Sequence, residues 1–128
     1  MKEERVIVGK QNNRKVGAKY EQLAVDYLIR EGYQIVDRNR YTPYGEIDII
    51  AKKDNYIVFC EVKYRSSDRY GDPLQAVDWG KQQRISRAAM YIFSHNAIIR
   101  KLNCRFDVIA VYKDESIRHV ENAFEFQG

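Results

Sequence analysis

Residues 45–63 read Gly45-Glu46-Ile47-Asp48-Ile49-Ile50-Ala51-Lys52-Lys53-Asp54-Asn55-Tyr56-Ile57-Val58-Phe59-Cys60-Glu61-Val62-Lys63. Two β-rich runs, Glu46 to Lys52 and Tyr56 to Arg65, flank a polar break at Lys53-Asp54-Asn55, which is the pattern of a hairpin. If Asp54 and Asn55 form a two-residue turn, Lys53 faces Tyr56 and the same register sets Asp48 opposite Glu61. A four-residue loop closing at Lys52 and Ile57 leaves that register unchanged. Side chains alternate faces along a strand, so Lys63 points the same way as Glu61.

Facing acids on paired strands would have Cβ atoms about 5 Å apart and repel each other. A divalent cation between them reverses the sign and makes a site of hard oxygen donors. Lys63 would reach the same bound water or phosphate. Such a set suits attack on a phosphodiester: Asp48 and Glu61 hold Mg²⁺ or Mn²⁺, and Lys63 stabilises developing charge. An isolated Glu-x-Lys occurs by chance in most proteins, and the plain alternative is a pair of solvated acids beside a surface lysine. What raises this one above chance is Asp48 at the facing position and a further acid, Glu21, on a preceding helix. Glu46 shares the Asp48 face one step further out and ranks as an outer residue.

Upstream, Val16, Tyr20, Leu23, Ala24, Tyr27 and Leu28 recur at helical spacing between Arg14 and Glu31, and Gly32 follows as a helix-ending residue. Glu21 borders that apolar stripe. Tyr33 to Arg38 reads as a short strand and Thr42 to Gly45 as a turn. Downstream, Ser66 to Asp72 is a loop, and a second helix over Lys81 to Asn96 buries Ile85, Ala88, Ala89 and Ile92. Arg105 to Tyr112 is a strand and Ile117 to Phe126 an edge strand. The order α-β-β-β-α-β-β predicts an α/β fold, a mixed β-sheet flanked by helices, with the second helix as a crossover.

At 128 residues the chain is one domain long, with residues 1–13 read as an arm and 14–128 as the single domain. Hydrophobic residues make up 45% and charged residues 31%, which suits a globular core and argues against disorder. The longest apolar runs are a few residues, too short to span a bilayer, and the first residues lack the pattern of a signal peptide. Cys60 and Cys104 lie in strand-like segments far from zinc spacing and read as buried thiols of a cytoplasmic protein. The net charge of +4 is weak support for a nucleic-acid partner by itself. It gains weight once the acids are assigned to one pocket, because the remaining surface is then more basic. Arg65, Arg69, Lys81, Arg84 and Arg87 follow the hairpin or lie on the second helix and are the candidate phosphate contacts. Lys81 lies on the side of Ile85, where it could approach the acids. Tyr64, Tyr70 and Trp79 are candidates to stack on bases. His95 and His119 read as structural.

Asp48 followed by Glu61-Val62-Lys63 resembles the signature of the restriction-endonuclease-like, PD-(D/E)xK superfamily, with Ile47 in place of the proline. Gly45 to Ala51, Phe59 to Arg65, Gln75-Ala76-Val77 with Lys81, and Arg105 to Val111 together resemble the YraN family of small bacterial proteins. The likeness runs from about Gly17 to Val111. It implies a restriction-endonuclease-like core, similar to archaeal Holliday-junction resolvases, with Glu21, Asp48 and Glu61 as the acids and Lys63 as the catalytic lysine. The expected function is a Mg²⁺- or Mn²⁺-dependent nuclease on DNA in preference to RNA, including branched DNA. A homodimer would suit symmetric cutting of two strands. The competing expectations are a nucleic-acid-binding module with a vestigial site and, further off, an interaction subunit.

Overall fold

A computed structural model describes residues 17–66 and 77–127. Helix α1, residues 17–30, is followed by strands β1 (Gln34–Thr42), β2 (Gly45–Lys53) and β3 (Tyr56–Arg65). Helix α2 (Trp79–Ser94), a 3₁₀ turn (Ile99–Lys101) and strands β4 (Asn103–Tyr112) and β5 (Ile117–Val120) complete the fold. The five strands form one mixed sheet in the order β1-β2-β3-β4-β5. All neighbours are antiparallel except β3 and β4, which are parallel and joined through α2. This is the α-β-β-β-α-β-β order and mixed sheet that the sequence predicts. The arm assigned to residues 1–13, and with it Arg69, Tyr70, Gln75 and Ala76, lies outside the described residues.

Strand alternation divides the core between the two helices. Ile57, Phe59, Phe106 and Val108 point to the face covered by Ile85, Ala88, Ala89 and Ile92 of α2. Val58, Cys60, Ile109 and Val111 point to the other face, covered by Tyr20, Ala24 and Leu28 of α1. The strands buried on both faces are therefore almost continuously apolar. α1 ends where Gly32 adopts φ 90° and Tyr33 N–H returns to the Leu28 carbonyl at 2.9 Å, a left-handed stop that suits glycine. Among the described residues no helix is long and apolar enough to cross a membrane.

Besides small shifts at the end of α2, Ser94, and the start of β4, Asn103, four departures from the sequence reading have identifiable causes. β1 continues to Thr42, pairing with Gly45, because an edge strand tolerates the exposed charges Asp37, Arg38 and Arg40 that disguise it. α2 starts two residues early, because the Asp78 side chain caps it by accepting Lys81 N–H at 2.8 Å. β5 stops at Val120, since Asn122 takes φ 49° and donates its N–H to the Asp107 carboxylate at 3.0 Å. Cys104 is exposed, at the uncovered start of β4, whereas Cys60 is buried as expected.

Asp107 is the buried polar anchor of the α1 face, 1% exposed. Arg105 donates to it twice at 2.9 Å, once to each oxygen, and His119 Nε2 lies 2.6 Å from Oδ2. The Tyr27 hydroxyl in turn stands 2.9 Å from His119 Nδ1, so one network ties α1, β4 and β5 together and gives His119 its structural role. Burial alone would raise the Asp107 pKa, but His119, Arg105 and the Asn122 N–H outweigh it and hold the carboxyl below its ordinary range. An acid whose folded pKa is depressed contributes stability above its unfolded value and loses it as pH falls through the folded one. Asp107→Ala should lower unfolding free energy at pH 7 by about 3–5 kcal/mol, the usual cost of stripping one partner from a buried charge cluster. Urea titrations at pH 7 and below pH 4 should show the difference from wild type shrinking with acid. A constant difference would mean that the carboxylate charge is not what matters.

Candidate metal and phosphate site

The β2–β3 ladder pairs Lys53 with Tyr56, Lys52 with Ile57 and Ile49 with Cys60, the register expected from the Asp54-Asn55 turn. Asp54 takes the left-handed φ of 52° that such a tight turn requires, a conformation aspartate tolerates better than most residues. The next positions along the hairpin are Asp48 and Glu61. There the Asp48 carboxylate accepts the Val62 backbone N–H at 2.8 Å. Asp48 and Glu61 line one pocket of about 240 Å³, together with Gly45, Glu46, Lys81, Arg84 and Ile85. They lie on the α2 face of the sheet.

Glu61 is 6% exposed and is the electrostatic centre of the pocket. Its Oε1 is 2.8 Å from Lys81 Nζ and 3.3 Å from Lys63 Nζ. Lys63 arrives by strand alternation from the same face of β3. Lys81 arrives from the first turn of α2, which the Asp78 cap holds in place. Burial lowers the Lys63 pKa, and the neighbouring Lys81 ammonium lowers it further. Burial also works to lower Lys81, but its hydrogen bonds to Glu61 and Lys63 together with the Glu61 and Asp48 charges outweigh that and leave it raised.

Asp48 has the most perturbed acid in the pocket. Burial, then the Glu61 charge, pushes it up to about 7, and the single Val62 N–H offsets only part of this. Glu46 is raised too, by burial and then by Glu21 and Glu61. A crowded acid group of this kind is what a hard cation relieves.

The donor set fits Mg²⁺ or Mn²⁺ in a restricted sense. Two carboxylates are enough for Mg²⁺, which usually keeps several waters and takes further oxygens from a substrate phosphate. Among the described residues no three of His, Cys, Asp and Glu stand together as an all-protein metal cage. Glu21 is engaged elsewhere: Asn39 donates to its Oε1 at 2.9 Å, and Arg38 lies 3.2 Å from the same atom. The structure thus brings together Asp48, Glu61 and Lys63, adds Lys81 and Arg84, and sets Glu21 against the β1 edge.

The remaining expected contacts are dispersed. Arg65 continues the Lys63 face of β3, and its Nε is shielded without a hydrogen-bond partner among the described residues. Arg87 lies one turn beyond Arg84 and lines a neighbouring groove. Tyr64 does not face the acids but stacks on Tyr20 at 4.3 Å, since it alternates with Lys63 and points to α1. Trp79 is exposed and donates to Gln127 at 3.2 Å, away from the pocket lining.

Residues 20–111 match the model of the uncharacterised protein family UPF0102, the YraN family. The chain belongs to this family. It is 48% identical over 109 residues to a UPF0102 protein of Thermodesulfovibrio yellowstonii, covering 85% of this chain and 95% of that one. A UPF0102 protein of Alkaliphilus oremlandii is 49% identical over 116 residues, 88% of this chain and 99% of its own. One from Lachnoclostridium phytofermentans is 44% identical over 117 residues, 91% and 98% of the two chains. The likeness to UPF0102 proteins thus runs nearly end to end.

The raised Asp48 pKa has a testable consequence. Between the ordinary aspartate value and about 7 the native state binds a proton that the unfolded chain has released, so stability falls as pH rises through that window. Asp48→Asn keeps an acceptor for Val62 N–H and removes the charge. Without divalent ions it should be more stable than wild type at pH 8 by about 2–4 kcal/mol, with the gap closing towards pH 4. Millimolar Mn²⁺ should stabilise wild type at pH 8 and not the variant. Equal unfolding curves across this range would show that Asp48 carries no such penalty.

Proposed function

We propose that this UPF0102 protein is a divalent-metal-dependent nuclease that hydrolyses phosphodiester bonds, with DNA favoured over RNA. The observation that carries the proposal is the convergence of Asp48, Glu61 and Lys81 on one pocket at the α2 face of the sheet, with Lys63 paired to Glu61 beside it. A plain structural strand pair gains nothing from two crowded carboxylates. A phosphodiester site uses them together with nearby cations.

Asp48 and Glu61 would hold Mg²⁺ or Mn²⁺. When bound, such an ion polarises a phosphoryl oxygen and makes a coordinated water acidic enough to attack at neutral pH. Glu61 fixes the ammonium groups of Lys63 and Lys81 within one pocket wall. Lys63, the more shielded and the one with the lowered pKa, is placed to stabilise charge on the attacked phosphate. Arg84 brings a further cation to the same pocket for the flanking backbone. Partial burial keeps bulk water from screening these charges. Branched DNA as substrate, a homodimer and a cytoplasmic setting belong to the same reading.

A second reading, a nucleic-acid-binding module with a vestigial site, is favoured by one feature. Glu61 Oε1 is shared by two ammonium groups, so the protein can neutralise that carboxylate without a metal.

Calorimetric titration of Mn²⁺, with cleavage of labelled linear, flapped and four-way-junction DNAs and matched RNA on the same preparations, separates the two. Glu61→Ala should abolish both metal binding and cleavage. Lys63→Ala should abolish cleavage while leaving Mn²⁺ affinity intact or tighter, because an ammonium cannot ligate the ion. If wild type binds no divalent ion even with DNA present, the binding-module reading stands. Cleavage by Lys63→Ala at the wild-type rate would remove the lysine from the mechanism. Lys81 should show a third pattern. It competes with the ion for Glu61 Oε1, so Lys81→Met should tighten Mn²⁺ binding roughly fivefold, equivalent to about 1 kcal/mol for a partly exposed ion pair. Weaker Mn²⁺ binding by Lys81→Met would show that the lysine supports the ion site instead of competing for it.

A further inference from the structure

We propose that a groove beside the acid pocket is a base-stacking subsite that takes an unpaired nucleotide flanking the phosphate to be cut. The inference rests on the proposed function, in that the acid pocket is where the phosphodiester lies. It adds the substrate class: nucleic acid with a single-stranded segment at the site.

Arg84, Arg87 and Tyr91 on α2 and His95 at its C-cap succeed one another at intervals of three, four and four residues, which keeps them along one flank of the helix. Arg84 lines the acid pocket, while Arg87, Tyr91 and His95 line a groove of about 580 Å³ with Tyr44, Met90 and Phe126. Tyr44 closes the connection from the sheet side. It sits in the β1–β2 turn immediately before Gly45 and Glu46, which line the acid pocket. That turn is held by Tyr44 N–H donating to Thr42 Oγ1 at 3.1 Å and by the Thr42 hydroxyl donating to the Gly45 carbonyl at 2.8 Å. The two depressions are therefore lined by neighbouring residues of the same turn, Tyr44 and Gly45, and of the same helix, Arg87 and Arg84. From Arg84 to Tyr91 the helix rises roughly 10 Å, about three nucleotides at the spacing of a stacked strand.

The lining suits a base more than an apolar protein segment. The Tyr44 ring is half exposed, its centre 6.4 Å from Tyr91 and inclined at 63°. Tyr91 is stacked on His95 at 4.3 Å, which fixes the orientation of its ring. Arg87 stands beside it, and among the described residues neither Arg84 nor Arg87 is in an ion pair. No carboxylate lines the groove among the described residues. An open aromatic face next to guanidinium groups that are unpaired among the described residues matches a base and its phosphate. In a duplex the base faces are covered by their neighbours, so this platform can engage only a nucleotide that has left the stack.

The test is fluorescence anisotropy of a labelled oligothymidine and of a blunt duplex, in EDTA so that nothing is cut. Tyr44→Ala should weaken binding of the single strand by about fivefold or more, the loss expected for one stacked base, and leave the duplex within about twofold. Tyr44→Trp should restore the single strand, which a merely structural role for the hydroxyl would not allow. Unchanged single-strand binding by Tyr44→Ala, or equal losses on both forms, overturns the proposal. So does wild-type self-association in sedimentation runs that Tyr44→Ala abolishes, since the groove would then be a contact between copies of the chain. Tyr44-dependent single-strand binding by a protein that cuts nothing with Mn²⁺ would support the subsite and sink the nuclease reading. Metal-dependent cutting indifferent to Tyr44 would do the reverse.

Discussion

The hydrogen bond from Val62 N–H to the Asp48 carboxylate is the constraint on which the site depends. Backbone pairing between β2 and β3 extends to Ile49 and Cys60, and one position further on the side chain takes the donor of the facing strand. This satisfies a backbone group within the sheet and fixes the carboxylate on the α2 face beside Glu61. A slip of one residue in the hairpin would send Glu61 and Lys63 into the α1 core and bring Val62 to the pocket, exchanging two ionic groups for a valine.

Two aspartates with shielded carboxyl groups, Asp107 and Asp48, stand in opposite environments. Asp107 receives Arg105, His119 and a backbone N–H, is drawn below its ordinary pKa and fastens β5 and α1 to β4. Asp48 receives one backbone donor, faces other acids and is pushed up to about 7. The first is a polar network in which each oxygen has a partner, which is how buried charge is normally tolerated. The second is left under-satisfied at an opening in the surface. Perturbation by burial together with like charge in a cleft is more characteristic of a working site than of a structural one. Net charge and composition do not distinguish the two aspartates; only the neighbours do.

The hairpin register, the shared face of Glu61 and Lys63, and the stop at Gly32 were all legible because each follows from local rules of turn length, alternation and glycine geometry. The mixed sheet followed from the same reading, since tight breaks force antiparallel neighbours and a crossover helix permits a parallel pair, whereas the position of β4 beside β3 did not. Less legible were features decided by distant partners. β5 ends because Asp107, far back in the chain, captures Asn122 N–H. Glu21 is turned to Arg38 and Asn39 by the bulged edge of β1, which helical periodicity alone does not reveal. Tyr64 is a different case: alternation already placed it opposite Lys63, and grouping it with the basic residues overlooked the rule that had located the lysine. The Asp78 cap was visible too, as an aspartate three residues before Lys81, and would have set the start of α2 correctly.

Family membership carries the fold across nearly the whole chain but leaves the chemistry to the site, because a shared fold hosts many reactions. The topology nevertheless narrows where chemistry can occur. β3 and β4 are parallel, and Glu61 and Lys63 lie in the C-terminal half of β3, where open α/β sheets generally place their ligands. The crossover returns α2 over that same end, so that its first turn delivers Lys81 to Glu61 and its next turns carry Arg84 and Arg87 outward. Asp78 fixes where the helix begins, hence the height of Lys81 above the sheet. Moving the start of α2 by one residue would rotate Lys81 by about 100° and take it off the Glu61 side. The cap is thus as much a part of the pocket as the acids it serves, although it touches none of them.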